Sequence, residues 1–199
     1  RVIVLSDSIG EPTEIFHVHL SNPTNATLAN GQATGTILDD DPPANDHFAD
    51  RVNLAGDAVT VTGFNANSSA ESGEPGHAGR PAGKSVWWTW TAPHAGSVTI
   101  GTAGSDFDAT LAVYRGEALD GLQLLARDQA SAGPTASQVT LEVAAGEILQ
   151  IAMDGWDGSA GQIVLSLSLA SQRMFRPAPQ PRPDFWDTDG TIHAIAATN

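Results

Sequence analysis

The sequence predicts an all-β protein organised around an antiparallel β-sandwich of jelly-roll-like topology, and three observations carry that expectation. Residues 84–114 hold three β-patterned runs in succession with turn chemistry between them. Residues 162–169 alternate without a break, with Ile163, Leu165, Leu167 and Leu169 on one face and Gln162, Val164, Ser166 and Ser168 on the other. No amphipathic pattern of helical period and convincing length occurs in residues 44–170.

The elements follow in order. Val2 to Leu5, Ile15 to Ser21 and Thr34 to Leu38 read as strands, with Phe16, Val18 and Leu20 on one face and His17 and His19 on the other. Two or three strands with no partner sheet cannot bury a core. Pro42 and Pro43 cannot extend a ladder, so residues 42–44 read as a stiff linker between residues 1–41 and a second module over 45–170. Within that module, Arg51 to Leu54 and Ala58 to Gly63 are weak strands. Residues 65–83 are then rich in Gly, Ser, Asn and Glu with no apolar period, a length of loop that is usually functional or mobile. Next comes the best-committed run: Val86, Trp88 and Trp90 share one face while Trp87 and Thr89 take the opposite one. Further strands are expected at 97–102, from Leu111, and at 122–126, 139–143 and 148–153, with turns at Gly104 to Asp108, Gly133-Pro134 and Ala145-Gly146. Residues 171–199 are a Pro- and Arg-rich linker and a tail of no assigned structure.

Composition narrows the function. A chain of 199 residues with 41% hydrophobic and 16% charged residues supports one or two packed domains. A net charge of −14 with nine Lys and Arg argues against nucleic acid as a partner, because a phosphate backbone requires a basic surface. The absence of cysteine excludes disulfides, thiolate nucleophiles and Cys-ligated zinc together. No apolar run is long enough to span a membrane, so no transmembrane segment is expected in this chain. The strand-like opening Arg1 to Leu5 suggests a chain that starts inside a domain, with any leader upstream.

Several motifs carry a resemblance. Asn45-Asp46-His47-Phe48, then GEPGHAG (73–79), SVWWTWTAP (85–93), GSDFDATLAVYRG (104–116) and LQIAMDGWDGSAGQIVLSL (149–167) resemble, in that order, the bacterial pre-peptidase C-terminal (PPC) domain. The resemblance covers residues 44–170 and implies a non-catalytic accessory β-sandwich of secreted or cell-surface proteins, carried beside a protease in some and not in others. Some relatives bind collagen in a calcium-dependent way. In residues 1–41, SDSIGEPTEIFHVHLSNP (6–23) and ATGTILDDD (33–41) resemble the second half of a Calx-beta domain. That resemblance implies the last strands of an immunoglobulin-like sheet whose first half precedes this chain.

Calcium takes six to eight oxygen ligands, which requires carboxylates converging from neighbouring loops. Asp7, Glu11 and Glu14 share one stretch, and Asp39, Asp40 and Asp41 end the last strand before the prolines. If both sets meet at one end of a sheet, they repel unless a cation lies among them. The Calx-beta resemblance places these six, with the Ile9 carbonyl, on calcium positions, although Ser6 and Ser8 stand where that family has acidic residues; a solvated, charged linker is the plainer reading of Asp39 to Asp41. A second oxygen-rich set comprises Asn45, Asp46, Glu71, Glu74, Asp106 and Asp108, for which turn formation is the competing role. Calcium is therefore the expected cofactor.

Tryptophans raise a carbohydrate reading. Trp87, opposite the core face, and Trp156, in a turn, are the candidates for stacking on a ligand, against the commoner role of covering a sandwich edge. Catalysis finds little support: the six histidines are dispersed, and neither G-x-S-x-G nor H-E-x-x-H occurs. The expectation is a calcium-binding adhesion or substrate-binding module of a larger secreted or cell-surface bacterial protein. Its partners would be neighbouring domains of the same polypeptide, an extracellular matrix protein or a polysaccharide. The alternatives are an accessory or targeting domain of a secreted protease or glycan-degrading enzyme, and a structural spacer in a repeat array.

Overall fold

Period-2 alternation decides where the strands form, and a computed structural model describes the result for residues 13–38, 40–129 and 136–171. The strands are β1 (Glu14–His19), β2 (Gln32–Ile37), β3 (Val52–Leu54), β4 (Ala58–Phe64), β5 (Val86–Thr91), β6 (Gly96–Gly101), β7 (Ala109–Arg115), β8 (Gln123–Gln129), β9 (Gln138–Val143), β10 (Ile148–Gly155) and β11 (Gln162–Ser171). They form a two-stranded sheet β1-β2, a five-stranded sheet β3-β5-β10-β7-β8 and a four-stranded sheet β4-β11-β6-β9. The fold is all-β, and its described pairings are antiparallel apart from β3, which runs parallel to β5.

The five- and four-stranded sheets contribute to one apolar cluster. Val86, Trp88 and Trp90 from β5, Leu111 and Val113 from β7, and Leu149, Ile151 and Met153 from β10 meet Val98 and Ile100 from β6 and Ile163, Leu165 and Leu167 from β11. These are the alternating positions the sequence assigns to the core face. At roughly 1.5–3 kcal/mol for each large apolar side chain removed from water, this cluster is the main source of stability.

The other face of the five-stranded sheet is covered as well. Ala112 and Tyr114 of β7 and Ala152 of β10 lie beside Trp87, and Phe48 completes a second, smaller buried cluster with them. Two alanines in the middle of this face leave room for the Trp87 indole, which meets the Phe48 ring edge-on at 5.1 Å. A register shift between Val113 and Tyr114 re-aims the tyrosine toward the loop that lies over it.

Among the described residues, those before Phe48 contribute to neither cluster. In the β1-β2 pair, Ile15 and nearby Leu20 and Leu38 are largely exposed. Pro43, within the stretch expected to be a linker, is buried, and its carbonyl accepts the Asp46 N–H at 2.9 Å. No helix of the described residues is long and apolar enough to cross a membrane.

Candidate functional site

The long loop over residues 65–83 has no apolar period because it is fastened by carboxylates rather than by packing. Each acidic side chain accepts hydrogen bonds from backbone N–H groups that no ladder satisfies, which is the role unpaired amides require. Asp46 accepts the Ser69 N–H at 2.7 Å and the Ser69 hydroxyl at 3.1 Å. Glu71 accepts the Phe48 N–H at 2.6 Å, and Glu74 accepts the Glu71 N–H at 2.7 Å. Across the sheet end, Asp154 accepts the N–H groups of Gly83 at 2.9 Å, Lys84 at 2.7 Å and Gly155 at 2.7 Å. The loop is thereby pinned to β10 at one end and to the Asn45 to Phe48 segment at the other.

At the centre of the loop stands His77. Its Nε2 lies 2.9 Å from Glu74 Oε1, and its Nδ1 lies 2.8 Å from the Tyr114 hydroxyl, which is 3.3 Å from the Gly76 carbonyl. The His77 and Glu74 side chains are both 1% exposed. Burial works to raise Glu74, but the hydrogen bonds from His77 and the Glu71 amide, with the attraction of His77, outweigh it and hold the carboxyl below its ordinary range. Burial pushes the Tyr114 hydroxyl well above its ordinary value, and the charge of Glu74 adds to the push, so the phenol keeps its proton. The His77 ring also packs edge-on against Trp87 at 5.4 Å. Both ring nitrogens are engaged, so this histidine is a structural strut under the loop.

Beside the strut opens a cleft of about 210 Å³, lined by His77, Arg80, Pro81, Gly83, Thr110 and Asp154 and by the turn Gly155 to Gly158. Thr110 and Asp154 are directly paired across β7 and β10, and Gln129 of β8 continues the same row. One wall is composite: the Arg80 guanidinium lies 4.0 Å above the centre of the Trp156 ring, and Asp157 Oδ1 stands 3.7 Å from Arg80 Nη1. Two backbone features shape this wall. A side chain at Gly155 would collide with the Ser159 carbonyl, and Gly79, at φ +87°, takes the left-handed conformation that turns the chain toward Arg80.

The structure corrects several expectations. Calcium is overturned as cofactor, and metal binding with it, because among the described residues no group of three or more His, Asp or Glu side chains converges as a metal site. The second oxygen-rich set is dispersed over separate tasks. Besides Asp46, Glu71 and Glu74, Asp106 accepts the Gln162 N–H at 2.6 Å and Asn45 donates to the Trp87 carbonyl at 3.0 Å. Asp108 engages its neighbours through its carbonyl, which accepts the Trp156 N–H at 2.8 Å. In the first set, Asp7, Ile9, Glu11 and Asp39 lie outside the described residues. Of the remainder, Glu14 starts β1, Asp40 stands after β2, and the Asp41 carbonyl accepts the Asn67 side-chain amide at 3.3 Å.

Trp87 is also corrected. It is fully buried and presents nothing to a ligand, because the face it occupies is roofed by the loop. Trp156 is half-buried at the cleft. Sequence reasoning missed Arg80, Thr110 and Asp154 as cleft residues. The available signal was Asp154, an acid at an outward position of a strand that is apolar apart from it and Gln150.

No family model matches the chain, and no curated protein matches it. Among solved structures, the chain is weakly similar to the pre-peptidase C-terminal domain of collagenase from Bacillus anthracis, at 14% identity and a TM-score of 0.39 over 59% of this chain and 92% of that one. It is similar at 15% identity and a TM-score of 0.41 to PliG of Aeromonas hydrophila, a periplasmic inhibitor of g-type lysozyme, over 60% of this chain and 96% of that one. A third likeness is to the Yersinia pseudotuberculosis-derived mitogen, at 10% identity and a TM-score of 0.35, over 60% of this chain and 91% of that one.

Proposed function

We propose that the chain is a non-catalytic accessory or targeting module of a larger secreted bacterial protein, a protease or glycan-degrading enzyme, and that the Trp156 cleft is its contact surface. In this reading residues 45–170 are a PPC-like β-sandwich, and residues 1–41 are the closing strands of a Calx-beta domain on the other side of the Pro42-Pro43 junction.

The observation that carries the reading is how the motif residues are used. Asn45, Asp46, Phe48, Glu74, His77, Trp87, Tyr114 and Asp154 all fall in the segments that resemble the PPC domain, and all are engaged in fastening one loop to one sheet. A constellation of acids and a histidine that looks chemical in the sequence is thus structural. A nucleophile needs a base free to take its proton, and His77 has both nitrogens committed. What stays open to solvent is a small concavity with an aromatic wall and a few polar groups, the usual form of a binding site.

The test is retention of the full 199-residue chain on insoluble polymers, namely cellulose, chitin, cross-linked pectin and collagen. The account expects retention on at least one of them, release by Trp156→Ala, and no hydrolysis of any. Retention unaffected by Trp156→Ala, or retention on none, would remove the cleft from the account, and hydrolysis by the chain itself would remove its non-catalytic character.

A further inference from the structure

The buried side chains that line the cleft offer it hydrogen-bond acceptors and no donor, and the ligand can be narrowed from that. We infer that the cleft takes one ring of a neutral, hydroxyl-rich polysaccharide, recognised through unsubstituted hydroxyl groups that donate to Thr110 and Asp154; this rests on the cleft being the contact surface proposed above.

The floor comes first. Thr110 and Asp154 are register partners on β7 and β10, both line the cleft, and they are 3% and 4% exposed. The Thr110 hydroxyl donates its proton to the Asp154 carbonyl at 3.2 Å, so only its lone pairs are left for an occupant. Asp154 accepts the Lys84 and Gly155 N–H groups on Oδ1 and the Gly83 N–H on Oδ2. A carboxylate has about four acceptor sites, so one, on Oδ2, is still open. His77, the other buried side chain of the lining, has both nitrogens committed. An occupant bringing only acceptors, such as a carboxylate or an ester carbonyl, would leave these lone pairs unanswered at the cost that falls on buried polar groups. Hydroxyl donors answer them.

Charge comes second. The lining holds Arg80 against Asp154 and Asp157. Arg80 and Asp157 stand 3.7 Å apart with side chains 51% and 82% exposed, a pair whose charges offset each other and which water screens. The Asp154 charge is met by its three N–H groups. A charged ligand group therefore has little to gain: an anion would lie against a buried carboxylate, a cation would share the cleft with the Arg80 guanidinium, and each would give up its own hydration. A neutral hydroxyl loses far less on entry and gains a charge-assisted hydrogen bond to Asp154 Oδ2.

Size and shape come third. A cleft of about 210 Å³ lies below the ~300 Å³ at which sites for drug-sized ligands begin. It therefore suits one ring of a longer chain whose neighbours stay in solvent. Arg80 covers one face of the Trp156 ring at 4.0 Å. Pro81 and the indole surface left uncovered supply the apolar contact that the C–H face of a pyranose requires. Apolar wall and acceptor floor together match a ring that is apolar on its face and carries donors at its edge.

The experiment is calorimetric titration of the full chain with four neutral hexasaccharides, namely cellohexaose, laminarihexaose, mannohexaose and xylohexaose. Beside them stand the anionic hexagalacturonate, the cationic chitosan hexamer and the fully O-methylated form of whichever neutral chain binds best. The inference expects at least one neutral chain to bind about tenfold or more tightly than both charged ones, and O-methylation, which removes the donors and keeps the rings, to weaken it about tenfold or more. Raising salt should leave the neutral affinity unchanged. Thr110→Val, which keeps the shape of the side chain and removes its oxygen, should weaken the neutral chain about fivefold, and Thr110→Ser should restore it. Near-UV circular dichroism identifies a variant that has lost its fold, and the ligand series on the parent chain decides the question without any variant. Equal binding of the O-methylated chain, or affinity unmoved by Thr110→Val in the folded protein, would overturn recognition through hydroxyl donors. Tighter binding of either charged hexamer would overturn the neutral class. Failure of all four neutral chains, with Trp156-dependent retention on chitin, pectin or collagen intact, would overturn the ligand class while the accessory reading stands; failure with no such retention would remove both.

Discussion

The two large sheets share one core but treat their outer faces in opposite ways. On the four-stranded sheet the outer face is wet: Ser166 and Ser168 alternate with buried Leu165, Leu167 and Leu169, and Thr99 and Thr140 join hydroxyls across the strands at 3.0 Å. On the five-stranded sheet the outer face is roofed by residues 65–83, and β7 and β10 are buried on both sides. The difference teaches that a loop without a single apolar repeat can serve as a third layer when its backbone donors are met by carboxylates. It also accounts for the position of the cleft, which opens where the roof ends.

Substitutions should separate the two faces, with the largest effect beneath the roof. Trp87→Ala removes the aromatic centre of the second cluster and should cost about 4 kcal/mol in urea unfolding, in the range for buried Trp or Phe truncations. His77→Ala leaves Glu74 buried with a lost partner and should cost about 3 kcal/mol, with loss of the near-UV signal of Trp87. By contrast, Ser166→Ala on the wet face should fall within ~0.5 kcal/mol of the parent.

Glu74 gives the roof a pH dependence of definite sign. Its native-state value is lowered, so the native state binds this proton less readily than the unfolded chain does. The stability it contributes is complete above the ordinary value of 4.5 and is lost as pH falls through the lowered one. Urea midpoints measured from pH 7 to pH 3 should therefore fall below about pH 4.5. Glu74→Gln should be less stable at pH 7 and flatter across that range. A parallel acid limb in the variant would mean that the dependence arises elsewhere.

The inner core was legible because alternation is a strong signal. Val86, Trp88 and Trp90 on β5 and the Ile163 to Leu169 series on β11 face inward as expected. The same alternation places Trp87 outward and leaves ligand stacking and edge covering both open; the structure has it outward and covered, under His77 of the loop. The deciding signal was present in β7 and β10, where ATLAV and LQIAM are nearly continuous apolar runs of the kind that strands covered on both faces display. The calcium reading failed for a related reason. Carboxylates close in sequence, or gathered by motif, give no indication of whether they converge on one point or each turn to a separate backbone amide, and here Asp46, Glu71, Glu74 and Asp106 do the latter. The cleft was half legible: Trp156 stood out as an aromatic in a turn, while Arg80, 76 positions earlier in the chain, is brought over its ring only by the fold.

The central claim, that the loop is a fixed structural layer, is tested most directly by amide hydrogen exchange at Phe48, Ser69, Glu71, Gly83 and Lys84, each of which donates to a carboxylate. The account predicts protection within about tenfold of that of the β10 amides, since roof and sheet would open together. Exchange of these five at the rate of an exposed loop, with β10 still protected, would contradict it.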